Sequence, residues 1–109
     1  MARTKKSIIK DIKKILSEWG TFGSGEVEQG GETYSPCINS MGDLVALAEY
    51  FNYNSVDIRV YDSGSGDCDS IHEYEVKYEE LAKDVLEEIL FICEQYEADC
   101  LKTEKRISN

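Results

Sequence analysis

Residues 55–101 read SVDIRVYDSGSGDCDSIHEYEVKYEELAKDVLEEILFICEQYEADCL. The first half alternates. Val56, Ile58 and Val60 take turns with Asp57, Arg59 and Tyr61, and His72, Tyr74, Val76 and Tyr78 take turns with Glu73, Glu75 and Lys77. Alternation of this kind marks strands with one buried and one wet face, so residues 55–78 are expected to form a β-hairpin. The second half changes period. Leu81, Val85, Ile89, Ile92 and Tyr96 recur every three or four residues, with Leu86, Cys93 and Cys100 widening the stripe. Only a helix places such residues on one face.

Charge suggests a register for the hairpin. Pairing Ile58 with Val76 sets Asp57 against Lys77, Arg59 against Glu75 and Asp62 against His72. A slip of two residues sets Asp57 against Glu75, and like charges across a ladder are unfavourable by a few tenths of a kcal/mol. The first register is therefore expected. Val56, Ile58, Val60, Tyr74 and Val76 should then face the core under Leu81, Val85, Ile89 and Ile92.

Working outward, residues 4–19 carry a second helical stripe, Ile8, Ile12, Ile15, Leu16 and Trp19, closed by Gly20 where a capping glycine belongs. Residues 21–38 suggest another hairpin about Gly30-Gly31, with Pro36 limiting its strand to an edge or a bulge. Residues 41–52 suggest a short helix capped by Ser40, with Leu44, Leu47, Ala48 and Phe51 as its buried stripe. The expected order is α-β-β-α-β-β-α. Its fold class is α+β, a four-stranded, mainly antiparallel sheet of two hairpins with helices on one face.

At 109 residues the chain is expected to be a single domain, 1–109, with residues 1–3 and 102–109 frayed. Apolar residues make up 41% and there is one proline, which is not the composition of a disordered chain. The absence of a signal-like or membrane-length apolar run points to a cytoplasmic protein. Cys37, Cys68, Cys93 and Cys100 are then expected as free thiols. The net charge of −10 is unevenly placed: residues 1–14 sum to +5, whereas residues 79–99 hold eight acids against Lys83 alone. Such an acidic surface repels phosphates and disfavours nucleic acid. It suits a basic protein partner. The lysines at the N-terminal end of the first helix oppose its dipole, which implies a compensating contact.

The segment SPCIN at 35–39, the strand ending RVYD at 59–62 and the helix YEELAKDVLEEIL at 78–90 together resemble small uncharacterised proteins of gut bacteria and their mobile elements. The resemblance spans residues 35–95 and implies no activity and no site.

Few residues offer chemistry. Asp62, Asp67 and Asp69 crowd the loop before His72, the only histidine. An oxygen-rich loop suits a hard cation, yet Gly64 and Gly66 stand where an EF-hand needs carboxylates. Any imidazole-based acid–base step has to use His72. A cation module or hydrolase centred on Asp62, Asp67, Asp69 and His72 is the alternative reading. Cys93 and Cys100 lie about 10.5 Å apart along a helix, too far to share one zinc, whose thiolates sit about 3.8 Å apart. The reading preferred from sequence is a non-enzymatic protein-interaction or inhibitory module without a cofactor or resident metal, monomeric or homodimeric. Its partner surface is expected at Glu80, Asp84, Glu87, Glu88, Phe91, Tyr53 and Tyr61, exposed acids and aromatics of the kind interfaces use.

Overall fold

The computed structural model describes residues 3–29, 32–33, 35–64 and 69–107, with backbone alone at 28–29, 32–33 and 103–107. Helix α1, Lys5–Trp19, starts where the Thr4 hydroxyl accepts the Ser7 amide at 3.1 Å, satisfying one of the free N–H groups of a helix start. It ends at Gly20, whose φ of +88° favours glycine and whose N–H bonds the Leu16 carbonyl.

Strand β1, Phe22–Gly23, leads into a 3-10 turn at Ser24–Glu26, whose last carboxylate accepts the Gly23 amide at 2.8 Å. Strands β2, Glu28–Gln29, and β3, Glu32–Thr33, pair only with each other. The hairpin expected at 21–38 thus survives as a short ribbon outside the main sheet, and its Gly30-Gly31 turn lies outside the described residues. The main sheet follows, as β4, Cys37–Met41; β5, Leu44–Phe51; β6, Ser55–Asp62; and β7, His72–Lys77. Its order is β1-β5-β6-β7, antiparallel throughout, with β4 also pairing β5. A 3-10 turn at Tyr78–Glu80 then delivers the chain to α2, Lys83–Ile107.

The α+β class and the helices on one face of an antiparallel sheet are as expected, but the helix expected at 41–52 is not. That segment is the Gly42-Asp43 turn followed by β5, the strand next to β6. Met41 pairs Leu44 across two residues, and Gly42 has a φ of +60°, as a glycine-first hairpin turn needs. The helical spacing of Leu44, Leu47, Ala48 and Phe51 has a different origin. Ala46, Ala48 and Phe51 are the buried positions of β5, and the register shifts between Ala48 and Tyr50. A bulge at Glu49 inserts one residue, so two core-facing positions fall three apart. Leucine and alanine are good helix formers, but propensity is worth only tenths of a kcal/mol per residue, and ladder partners on both sides override it.

The hairpin register also differs from the expected one. Val56 pairs Val76, Ile58 pairs Tyr74, Asp57 pairs Glu75, Arg59 pairs Glu73 and Val60 pairs His72. A two-residue slip leaves every side chain on the same face, so burial cannot choose between the registers. Local partners absorb the like charges: the Ser55 hydroxyl donates to Glu75, and Asn52 Nδ2 donates to Asp57 at 3.4 Å. Arg59 keeps a glutamate opposite it, with Nε 3.6 Å from Glu73, and Nη1 lies 3.9 Å from Glu49 on β5. These contacts outweigh a cross-strand term of a few tenths of a kcal/mol.

The core joins Ile8, Ile12, Leu16 and Phe22 to Ala48, Phe51, Val56 and Ile58 and to Leu81, Leu86, Ile89, Ile92 and Cys93. Val60 and Val76 pack at its margin, whereas Tyr74, on the edge strand β7, is exposed. Tyr78 is fully buried and donates its hydroxyl to the Asn52 carbonyl at 2.7 Å, closing the sheet end where α2 begins. Helix α2 continues to Ile107.

Candidate interaction surface

Three places hold the residues singled out from sequence. The first is the outer face of α2. Val85, Leu86, Ile89, Leu90, Ile92 and Cys93 are buried, and at 100° per residue the opposite side belongs to positions 84, 87, 88 and 91. Asp84, Glu87 and Glu88 are exposed there, and Phe91 retains 39% of its accessible surface beside them. No ion pair among the described residues involves these three acids. The Asp84 carboxylate caps locally, accepting the Val85 amide at 3.0 Å, where an anion suits the helix dipole. Glu80 precedes the helix, in the 3-10 turn, exposed and accepting the Lys77 amide at 3.2 Å.

The second place is the side of α1. Tyr53, in the β5–β6 turn, is half exposed and lies 5.5 Å below the Lys13 ammonium, a favourable cation–π distance. It lines a cleft of about 380 Å³ with Lys6, Ile9, Lys10, Lys13, Lys14 and Ser17. Tyr53 therefore belongs to a basic surface rather than to the acidic one. Glu79 answers part of that charge: its side chain is 3.7 Å from Lys13, and its carbonyl accepts from Lys5 at 3.2 Å.

The third place is the sheet face away from the helices. Tyr61 donates to Glu49 at 2.5 Å, and Arg59 lies over the Tyr50 ring at 5.0 Å. Burial, then the bond to Glu49, raises the Tyr61 pKa above its ordinary value. Sequence reasoning missed Glu49, because the bulge that turns it toward Tyr61 and Arg59 lies inside the segment that looked helical. The Gly42-Asp43 pair is the signal that points to the hairpin. Beside Glu49 a cleft of about 390 Å³ runs along Gly23, Ser24, Gly25, Glu26, Ser35 and Tyr50.

The loop centre expected at Asp62, Asp67, Asp69 and His72 is not brought together among the described residues. Asp62 accepts the Gly64 amide at 2.9 Å and pairs Leu44 in the ladder, while His72 pairs Val60 and lies against the Tyr74 ring. The expected Asp62–His72 pairing is thereby corrected. Asp67 and Cys68 lie outside the described residues, and no group of three potential metal ligands forms among those that are described. Cys37, Cys93 and Cys100 are free thiols, and burial pushes the Cys93 pKa up to about 12. No described helix is long and apolar enough to cross a membrane. No protein-family model, no curated protein and no solved structure matches the chain.

Proposed function

We propose that the chain is a non-enzymatic interaction module whose binding surface is the outer face of α2, and that its partner presents a basic, amphipathic surface. One observation carries this reading: Phe91, 39% exposed, stands among Asp84, Glu87 and Glu88, acids that no described cation neutralises. An exposed aromatic ringed by charge can be desolvated by an apolar side chain of a partner while the rim selects for cations. The sheet face is a poorer candidate, because Arg59, Tyr61 and Ser55 already engage Glu73, Glu49 and Glu75.

Titration of a fluorescent helical peptide with lysines at every fourth position and leucines between them tests the reading. Binding that weakens as salt rises and is lost in Phe91→Ser supports it. No binding at low salt sinks it.

A further inference from the structure

We propose that the chain itself supplies such a partner: the basic face of α1 from a second copy docks on the acidic face of α2, forming a two-fold dimer through the helix layer. This rests on the reading of α2 given above and names its occupant.

The two helices lie side by side and run the same way. Lys5 contacts Glu79 just before α2, and at the other end Trp19 Nε1 donates to Glu97 at 3.0 Å. The groove between them is lined by Arg3, Asp11, Lys14, Ile15 and Glu18 on one side and by Leu90, Glu94 and Glu97 on the other. The Trp19–Glu97 bond sets position 97 near the level of position 19. At a rise of about 1.5 Å per residue, Asp84 then falls level with Lys6, Glu88 with Lys10 and Phe91 one residue short of Lys14.

The outward charges of the neighbouring helices are opposite. Lys6, Lys10 and Lys14 are exposed on α1 and enter no ion pair among the described residues. Asp84, Glu87 and Glu88 are their counterparts on α2. Symmetry then decides the arrangement. A two-fold axis lying between the helices and parallel to them sets each α1 over the partner's α2 at the same level. Lysines at 6 and 10 meet acids at 84, 87 and 88, and Lys14 comes over Phe91. An axis across the helices would set α1 on α1, lysine on lysine. Charge complementarity therefore selects one dimer.

The net charge of −10 per copy opposes any self-association, but distance moderates it. The carboxylates of the uncovered sheet face are separated from the contact by a helix layer and the sheet. That is more than the Debye length of about 8 Å at physiological salt.

Reciprocal charge reversal tests the dimer, read as mass by sedimentation or light scattering on the full chain. Unaltered protein is expected to dimerise as concentration rises. Lys6→Glu/Lys10→Glu/Lys14→Glu and Asp84→Lys/Glu87→Lys/Glu88→Lys are each expected to be monomeric. Mixed together they are expected to dimerise again, because both contacts become attractive. A triple variant that loses its helical circular dichroism is replaced by the single reversals Lys10→Glu and Glu88→Lys, read in the same way. A monomer at the highest soluble concentration overturns the proposal. So do reversed variants that still dimerise alone, and a mixture of folded monomers that does not. The lysine-reversed chain keeps its acidic face, so its binding to the basic peptide tests the α2 reading separately from the dimer.

Discussion

The two sides of the molecule treat charge in opposite ways. On the uncovered sheet face Arg59 lies between Glu49 and Glu73 and over the Tyr50 ring, Tyr61 closes on Glu49, and Ser55 closes on Glu75. On the helix layer, Asp84, Glu87 and Glu88 and the lysines at 6, 10 and 14 point outward without ion pairs among the described residues. A carboxylate held between strands by neighbouring donors is part of the fold and offers little to a partner. One that projects from a helix keeps its full capacity for a second molecule. The difference follows from spacing. Adjacent strands bring side chains about 5 Å apart on both sides, whereas the outer line of a helix has neighbours only along itself.

The largest expected effect falls on the layer beneath both faces. Phe51→Ala removes a fully buried ring that meets Phe22 at 5.0 Å between centroids. It should cost about 3–5 kcal/mol, seen as a lower urea midpoint, and should weaken both surfaces together. Loss of binding without loss of stability in this variant would mean that the surfaces do not depend on a common core.

Alkaline pH comes next. Burial, as the leading cause, raises the pKa of Cys93 from 9.0 to about 12 and that of Tyr78 above its ordinary 10.0. The folded chain thus holds protons that the unfolded chain has lost. Stability should be intact below about pH 9 and fall as pH rises, by about 1.4 kcal/mol per pH unit for each group fully ionised in the unfolded chain. Melting temperature measured from pH 8 upward reads this, and a flat profile through pH 10 contradicts the burial. Tyr61→Phe on the sheet face is smaller. It removes one hydrogen bond to Glu49, whose side chain is 18% exposed, and should cost about 1 kcal/mol without altering peptide binding. Altered binding would move the interaction surface from the helices to the sheet.

Both helices could be read from sequence because their signals are local. Thr4 and Gly20 bracket α1, and the α2 stripe from Val85 to Cys93 keeps one period throughout. The outer face of α2 follows from the same period, which is why Asp84, Glu87, Glu88 and Phe91 could be grouped in advance. Strand β5 hid because the bulge at Glu49 gives it a helical spacing and its residues include good helix formers. The register of β6 and β7 hid because a two-residue slip preserves every face, and the bonds across it, Ser55 to Glu75 and Arg59 to Glu73, run diagonally or between partners that alternation does not single out. In the sequence alone, Tyr53 and Tyr61 share only their aromatic character with Phe91. Only the fold separates them, one beside the lysines of α1 and the other behind the sheet.

The smallest expected effect on stability carries the sharpest functional contrast. Reversing Glu80, Asp84, Glu87 and Glu88 to lysine alters four exposed side chains. Exposed substitutions usually shift stability by about 0.5 kcal/mol or less. Asp84 carries an extra cost, because a cation in the first helical turn opposes the dipole by about 0.3–1 kcal/mol. Three further lysines around Lys83 add repulsion that salt screens, so the urea midpoint should fall slightly at low salt and recover at high salt. Binding of the basic peptide should disappear at every salt concentration, since the rim that selected cations now repels them. Reversing Glu73 and Glu75 on the sheet should do the opposite: stability falls as Arg59 and Ser55 lose their acceptors, and the peptide still binds. If the helix reversal unfolds the chain while the sheet reversal abolishes binding, the two faces exchange roles, and the acids of α2 are part of the fold rather than a surface for a partner.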